Sequence, residues 1–102
     1  MKNRKWKFQI EWYNWNADYR TTENPIETYD TEEECGFDMD SRFVSDIRKL
    51  QRNTESVRNV NVTLNSFEKK VVEFEYKLPL IERWEGVSCT YSMYNPITNR
   101  GR

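Results

Sequence analysis

The chain has no histidine among its 102 residues. This absence removes the imidazole general base, the Ser-His and Cys-His nucleophile pairs and every zinc site that includes histidine. Glycine is also scarce, with only Gly36, Gly86 and Gly101, so the chain has no glycine-rich phosphate-binding loop. We therefore expect a protein that is not an enzyme and that uses no cofactor or metal ion.

Cysteines and long apolar runs are also in short supply. Cys35 and Cys89 are too few for a disulfide framework and too far apart for a zinc knuckle. No apolar stretch approaches the roughly 20 residues that span a bilayer, and no apolar signal region follows the charged N-terminus. These absences predict reduced thiols, no membrane contact and a cytoplasmic location.

Aromatic residues are abundant, at 15% of the chain. Each Trp or Phe buries on the order of 150 to 250 Å² in a core, which compensates for the low share of aliphatic residues. The length suits one core, and no repeat or low-complexity linker divides the chain. We expect one domain over residues 1–102, with a flexible tail over residues 95–102.

Alternation of apolar and polar residues predicts the strands. The pattern is strongest over residues 6–13 and returns over 60–64, 72–78 and 87–93, whereas residues 14–25 are typical of a loop and 26–29 of a short return strand. An α+β fold follows, with an antiparallel sheet of four to five strands and one main helix on one face. If Leu80 to Glu85 is helical instead, the order becomes the ferredoxin-like βαββαβ.

One helix is indicated between the first strand and the later strands. Met39, Phe43, Ile47 and Leu50 form an apolar stripe at helical spacing, which predicts a helix from about Asp40 to about Arg52. The segment Thr31-Glu32-Glu33-Glu34 matches a capping box, but Gly36 follows it. We therefore expect a short separate turn before the main helix.

Charge is distributed unevenly along the chain, although its net value is only −1. Eight acids and no Lys or Arg lie between Thr21 and Ser41. Such a segment either solubilises the chain and caps the helix, or presents carboxylates where a partner expects phosphates. Neighbouring aromatic residues favour binding, because interface hot spots are more often aromatic than merely charged. The candidate partner-binding residues are Glu27, Tyr29, Asp30, Glu32, Glu33, Glu34, Phe37 and Asp38.

Two further hypotheses come from other segments. Basic and aromatic residues interleave in the first strand, which suggests nucleic-acid binding through Lys5, Lys7, Tyr13 and Trp15. Glu73, Glu75 and Lys77 have the spacing of a metal-dependent nuclease strand, but alternating charges on the wet face of an antiparallel strand are the ordinary reason for such a spacing.

In composition the chain resembles the small accessory proteins that phages make to block host or defence factors, anti-CRISPR proteins among them. It is short, free of histidine, rich in Asn, Tyr and Trp, and carries an acidic segment. The resemblance implies a stoichiometric inhibitor in the host cytoplasm, whose partner is a protein with a basic surface such as a nucleic-acid enzyme. Aromatic residues on both faces of the first strand further predict a homodimer.

Overall fold

The computed structural model describes residues 5–80 and 82–96. One helix packs on one face of a five-stranded antiparallel sheet, which confirms the expected α+β fold. The strand order is β2-β1-β5-β4-β3, so the last strand in sequence lies at the centre of the sheet. The elements are β1 (Lys7–Asn14), β2 (Tyr19–Glu23), α1 (Glu32–Arg52), β3 (Val57–Asn65), β4 (Lys69–Leu78) and β5 (Arg83–Tyr94).

The core lies between α1 and the sheet, where the apolar residues of alternate strand positions point. Phe8 and Ile10 of β1 stand in register with Met93 and Tyr91 of β5, and all four are buried. Phe43 of α1 packs edge-on against Tyr91, with ring centroids 5.0 Å apart. The polar residues of the same strands occupy the other face of the sheet, which α1 leaves uncovered and which we call the open face.

The helix begins earlier than its apolar stripe suggests. Thr31 is its N-cap, and the Thr31 hydroxyl accepts a hydrogen bond from the Glu34 amide at 3.1 Å. Gly36 does not interrupt the helix, although glycine costs roughly 1 kcal/mol relative to alanine at such a position. A Cβ at Gly36 would lie 2.4 Å from Cε1 of Phe67, so the close approach of that ring requires glycine here.

The chain between β1 and α1 also departs from expectation. A hairpin strand, β2, occupies part of the predicted loop and pairs with β1 from Ile10↔Glu23 to Asn14↔Tyr19. The predicted return strand is reduced to one bridge between Trp6 and Tyr29.

The C-terminal part of the chain corrects one expectation. The ferredoxin-like alternative is wrong, because the chain turns after Leu78 and enters β5 at Arg83. Of the predicted flexible tail over residues 95–102, Asn95 is buried, and residues 97–102 lie outside the described residues. Within the described part of the chain, no helix is both long and apolar enough to cross a bilayer.

A polar network that is buried at Asp46 and Tyr91 and exposed at Glu23 joins α1 to both β5 and β2. The Tyr91 hydroxyl donates to Asp46 Oδ2 at 2.5 Å, and Arg42 Nε donates to the same carboxylate at 2.9 Å. The other guanidinium nitrogens of Arg42 donate to Glu23 at 2.8 and 2.9 Å. Burial raises the pKa of Tyr91 well above its usual range, so this phenol remains a hydrogen-bond donor. The network fixes the position of the helix relative to the sheet and holds the edge strand β2.

Replacing Asp46 with Ala is expected to lower the free energy of unfolding by about 2 to 4 kcal/mol, because it leaves the Tyr91 hydroxyl and Arg42 without their shared acceptor. Urea denaturation followed by tryptophan fluorescence measures the change. Asp30→Ala is the matched control, since the Asp30 side chain is 77% exposed and its ion pair with Lys5 contributes at most about 1 kcal/mol. Equal effects of the two substitutions would contradict a structural role for the buried network.

The Glu23 carboxylate should make stability depend on pH. Its hydrogen bonds from Arg42 lower the Glu23 pKa below the ordinary value of 4.5, so the contribution is complete above 4.5 and is lost as pH falls through the lowered pKa. The stability difference between the native chain and Glu23→Gln should therefore be largest near neutral pH and disappear in acid. In a chain that carries Arg42→Gln, the further substitution Glu23→Gln should leave the pH dependence of the free energy of unfolding unchanged. If a pH-dependent difference persists there, it does not arise from the Arg42–Glu23 hydrogen bonds.

Candidate functional site

Phe37 lies on the outer side of α1 and is 78% exposed. Beside it, the ring of Phe67 from the β3–β4 turn rests on Gly36 and is 49% exposed. The two rings border a groove of about 350 Å³, and such a pair of exposed aromatic side chains is unusual on a surface with no binding role. The groove is lined by Glu33, Gly36, Phe37, Asp40, Phe67 and Lys70.

A second groove, of about 490 Å³, lies on the other side of Phe37. The Tyr29 hydroxyl donates to Asp38 Oδ2 at 2.7 Å, and burial together with this bond raises the Tyr29 pKa. The phenol therefore stays neutral and ties the chain before α1 to the first turns of the helix. The second groove is lined by Lys5, Thr28, Tyr29, Asp30, Glu34, Phe37 and Asp38. We call the two grooves together the Phe37 surface.

Most of the charge on the Phe37 surface is negative, and only part of it is neutralised. Lys5 Nζ lies 2.7 Å from Asp30, and this bond lowers the Asp30 pKa. Lys70 Nζ lies 3.3 Å from Asp40 and also donates to the turn before β4. Among the described residues, neither glutamate of the grooves has an ion-pair partner; these are Glu33 and Glu34. Both bases are paired with a carboxylate, and the five acids of the two grooves outnumber them, so the field of this surface is acidic.

The structure brings together most of the residues predicted for partner binding. Tyr29, Asp30, Glu34 and Asp38 line the second groove and Glu33 lines the first, whereas Glu27 and Glu32 line neither. Sequence reasoning missed the contributions of Asp40, Phe67 and Lys70. Of these three, only Phe67 could have been identified from the sequence, because it is an aromatic residue in a polar turn between two predicted strands.

The four residues of the nucleic-acid hypothesis fall at two ends of the sheet. Lys5 pairs with Asp30, and Lys7 Nζ donates to the carbonyl of Pro25 at 3.2 Å. Tyr13 lies six residues further along the extended β1, roughly 20 Å from Lys7, and Trp15 follows β1 at the same end. The two lysines therefore lie at one end of the sheet, where only Lys5 lines a groove of the Phe37 surface, and the two aromatic residues lie at the other end.

Glu73, Glu75 and Lys77 share the open face of β4. Glu75 accepts hydrogen bonds from Arg58 at 2.6 Å and from Asn59 at 2.9 Å, and these bonds lower its pKa. Within residues 5–80 and 82–96, no three acidic or thiol side chains are grouped as a metal site requires.

Both thiols are buried in the core. Burial is the main cause that raises the pKa of Cys35 and of Cys89 to about 12, and the Asp38 charge adds to the effect at Cys35. A thiol with so high a pKa is almost entirely protonated near neutral pH, and the thiolate is the reactive form.

We expect neither cysteine of the folded protein to react with a thiol reagent at about pH 8, because both are buried and protonated. Titration with a chromogenic disulfide measures this, and both thiols should react once the chain is unfolded in denaturant. One equivalent released rapidly from the folded protein would contradict the burial of that thiol.

Comparison of the chain with family models, with curated proteins and with solved structures found no match. The fold places the protein in the α+β class, and a fold of this class does not by itself define a function.

Proposed function

We propose that this protein is a non-catalytic binding module whose Phe37 surface engages a protein with a basic surface. The observation that carries the proposal is the position of Phe37, which is 78% exposed between two grooves with carboxylates on their rims. An aromatic anchor surrounded by charge is the arrangement that interface hot spots favour.

We expect Phe37 to contribute binding free energy and the carboxylates to increase the association rate constant. Burying a Phe side chain at an interface contributes about 1.5 to 3 kcal/mol. The unpaired glutamates attract a basic partner over roughly one Debye length, about 10 Å at moderate salt, and this attraction weakens as salt rises. Kinetic measurements therefore distinguish the two contributions, since loss of Phe37 raises the dissociation rate constant and loss of the carboxylates lowers the association rate constant.

The Phe37 surface is built on rigid elements, which lowers the entropic cost of binding. Thr31 caps the helix, Gly36 seats Phe67, and Tyr29 holds Asp38. Lys70 is 6% exposed and donates to Asn65 and to the Ser66 carbonyl at 2.9 Å, which fixes the turn that carries Phe67. The backbone that carries Phe37 and the turn that carries Phe67 are thus fixed before a partner arrives.

The proposal includes inhibition, in which the acidic surface occupies a groove that otherwise receives nucleic acid. Its support is the dense run of carboxylates around the helix start and the compositional resemblance to phage accessory proteins. A partner of this kind offers Arg and Lys side chains to the rim, and an apolar contact for Phe37.

Affinity capture from nuclease-treated lysate of the native host identifies the partner. Association and dissociation rates of the purified pair, measured with variants of this chain, then test the Phe37 surface. Phe37→Ala should weaken binding by roughly 10- to 100-fold, mostly through faster dissociation. Combined Glu33→Lys and Glu34→Lys should slow association and reduce its salt dependence. Displacement of the partner's nucleic acid tests inhibition.

Two control variants match these changes at the far end of β4, away from Phe67. Leu80→Ala removes an apolar side chain that is 97% exposed, and Glu55→Lys reverses an exposed acid in the α1–β3 turn. Both should bind like the native chain. If Phe37→Ala binds no more weakly than Leu80→Ala, the Phe37 surface is not the interface.

A further inference from the structure

The open face carries a second surface, at the end of the sheet where β1 turns into β2. Trp15 lies directly over Gly86 of β5, because a Cβ at Gly86 would be 2.0 Å from Cζ2 of the indole. The Trp15 amide donates to the Gly86 carbonyl at 3.1 Å, and the Gly86 amide donates to Asn16 Oδ1 at 2.5 Å. These bonds fix the turn, and Trp15 remains 45% exposed.

Two arginine–aromatic stacks flank Trp15 on this face. The guanidinium carbon of Arg20 lies 4.2 Å from the ring centroid of Tyr13, and that of Arg58 lies 4.1 Å from the ring centroid of Trp84. Each guanidinium is also held by a carboxylate, Glu11 at 3.3 Å for Arg20 and Glu75 at 2.6 Å for Arg58. Both guanidinium groups are therefore fixed in orientation. We call this group of stacked and exposed side chains the platform; its members are Tyr13, Trp15, Arg20, Arg58 and Trp84.

Strand register sets the spacing of the platform. Trp84, Gly86 and Ser88 are successive open-face positions of β5, roughly 6.7 Å apart along the strand. Tyr13 stands beside Ser88, and Trp15 covers Gly86, so the three aromatic side chains follow the strand in consecutive steps. Gly86 lies under Trp15, and the small residue Ser88 lies beside Tyr13.

Within the five strands, the open face carries more bases than acids. By alternation and register these strand residues include five cationic residues and three carboxylates, two of which are engaged by the stacked arginines. The cationic residues are Lys7, Arg20, Arg58, Lys69 and Lys77; the acidic ones are Glu11, Glu73 and Glu75. This balance is opposite to that of the Phe37 surface.

We propose that this platform binds single-stranded nucleic acid. Bases stack on exposed aromatic rings and on guanidinium planes without regard to sequence, and fixed stacking groups beside cationic residues are what such binding requires. Lys77 stands in register with Trp84, where it neutralises a backbone phosphate. The occupant is single-stranded because the stacking groups need unpaired bases.

Fluorescence anisotropy with labelled DNA and RNA oligonucleotides of about 12 nucleotides tests the proposal, measured on the full chain at about 50 mM salt. Trp15→Ala and Arg20→Gln should each weaken binding by about fivefold to a hundredfold. Two or three phosphate contacts predict a slope of roughly −1.5 to −2 for log K against log salt with a single strand. The ratio of the dissociation constants for the DNA and RNA oligonucleotides shows whether the platform prefers deoxyribose or ribose strands.

Matched controls come from the other side of the sheet. Tyr19→Ala removes an aromatic side chain that is 62% exposed on β2, at an alternate position to Arg20, and Arg48→Gln removes a cation from the outer side of α1. Neither should change oligonucleotide binding. Glu73→Gln should strengthen it, because this substitution removes an open-face carboxylate.

The result that overturns the proposal is no binding of either oligonucleotide at about 50 mM salt, or binding that Trp15→Ala and Tyr19→Ala weaken equally. A captured protein whose binding depends on Trp15 in the absence of oligonucleotide binding would assign the platform to protein recognition instead. Phe37→Ala should leave oligonucleotide binding intact, so this proposal and the proposed function fail independently.

Discussion

Arg42 holds three elements of the fold in a single arrangement. Its Nε donates to Asp46 within α1 and its remaining nitrogens reach Glu23 of β2, while Asp46 accepts from Tyr91 in the central strand. Asp46 is 7% exposed, so its charge is tolerated only because these donors surround it. The same bonds set the rotation of α1 about its axis, because Asp46 must face β5. Once that rotation is set, Phe37 necessarily points outward, and the Phe37 surface follows from the buried network.

Local patterns predict the strands in which apolar and polar residues alternate, including the largely exposed β3, and fail for β2. β1, β4 and β5 show apolar alternation because every second residue enters the core. β2 has no such pattern, since all five of its residues are exposed and it forms only through pairing with β1. The early start of α1 was hidden by Gly36, whose low helix propensity is outweighed by the capped first turn and by the close packing of Phe67.

The same distinction explains how much of each candidate site was predictable. The Phe37 surface is largely contiguous in sequence, because a helix start and the segment before it bring neighbouring residues together. The open-face platform joins four strands and the β1–β2 turn, and Gly86 meets Trp15 only after β5 has paired with β1. Conversely, Lys7 and Tyr13 are close in sequence but far apart in space, since a strand extends about 3.3 Å per residue.

The near-zero net charge conceals two surfaces of opposite character on opposite sides of one sheet. The Phe37 surface lies on the outer side of α1, and the platform lies on the face that α1 leaves uncovered. The shortest principal extent of the molecule is 21 Å, about two Debye lengths or more at physiological salt. Each surface therefore presents its own field to a partner with little cancellation by the other. Since no residue of the platform lines either groove beside Phe37, occupation of one surface leaves the other sterically accessible.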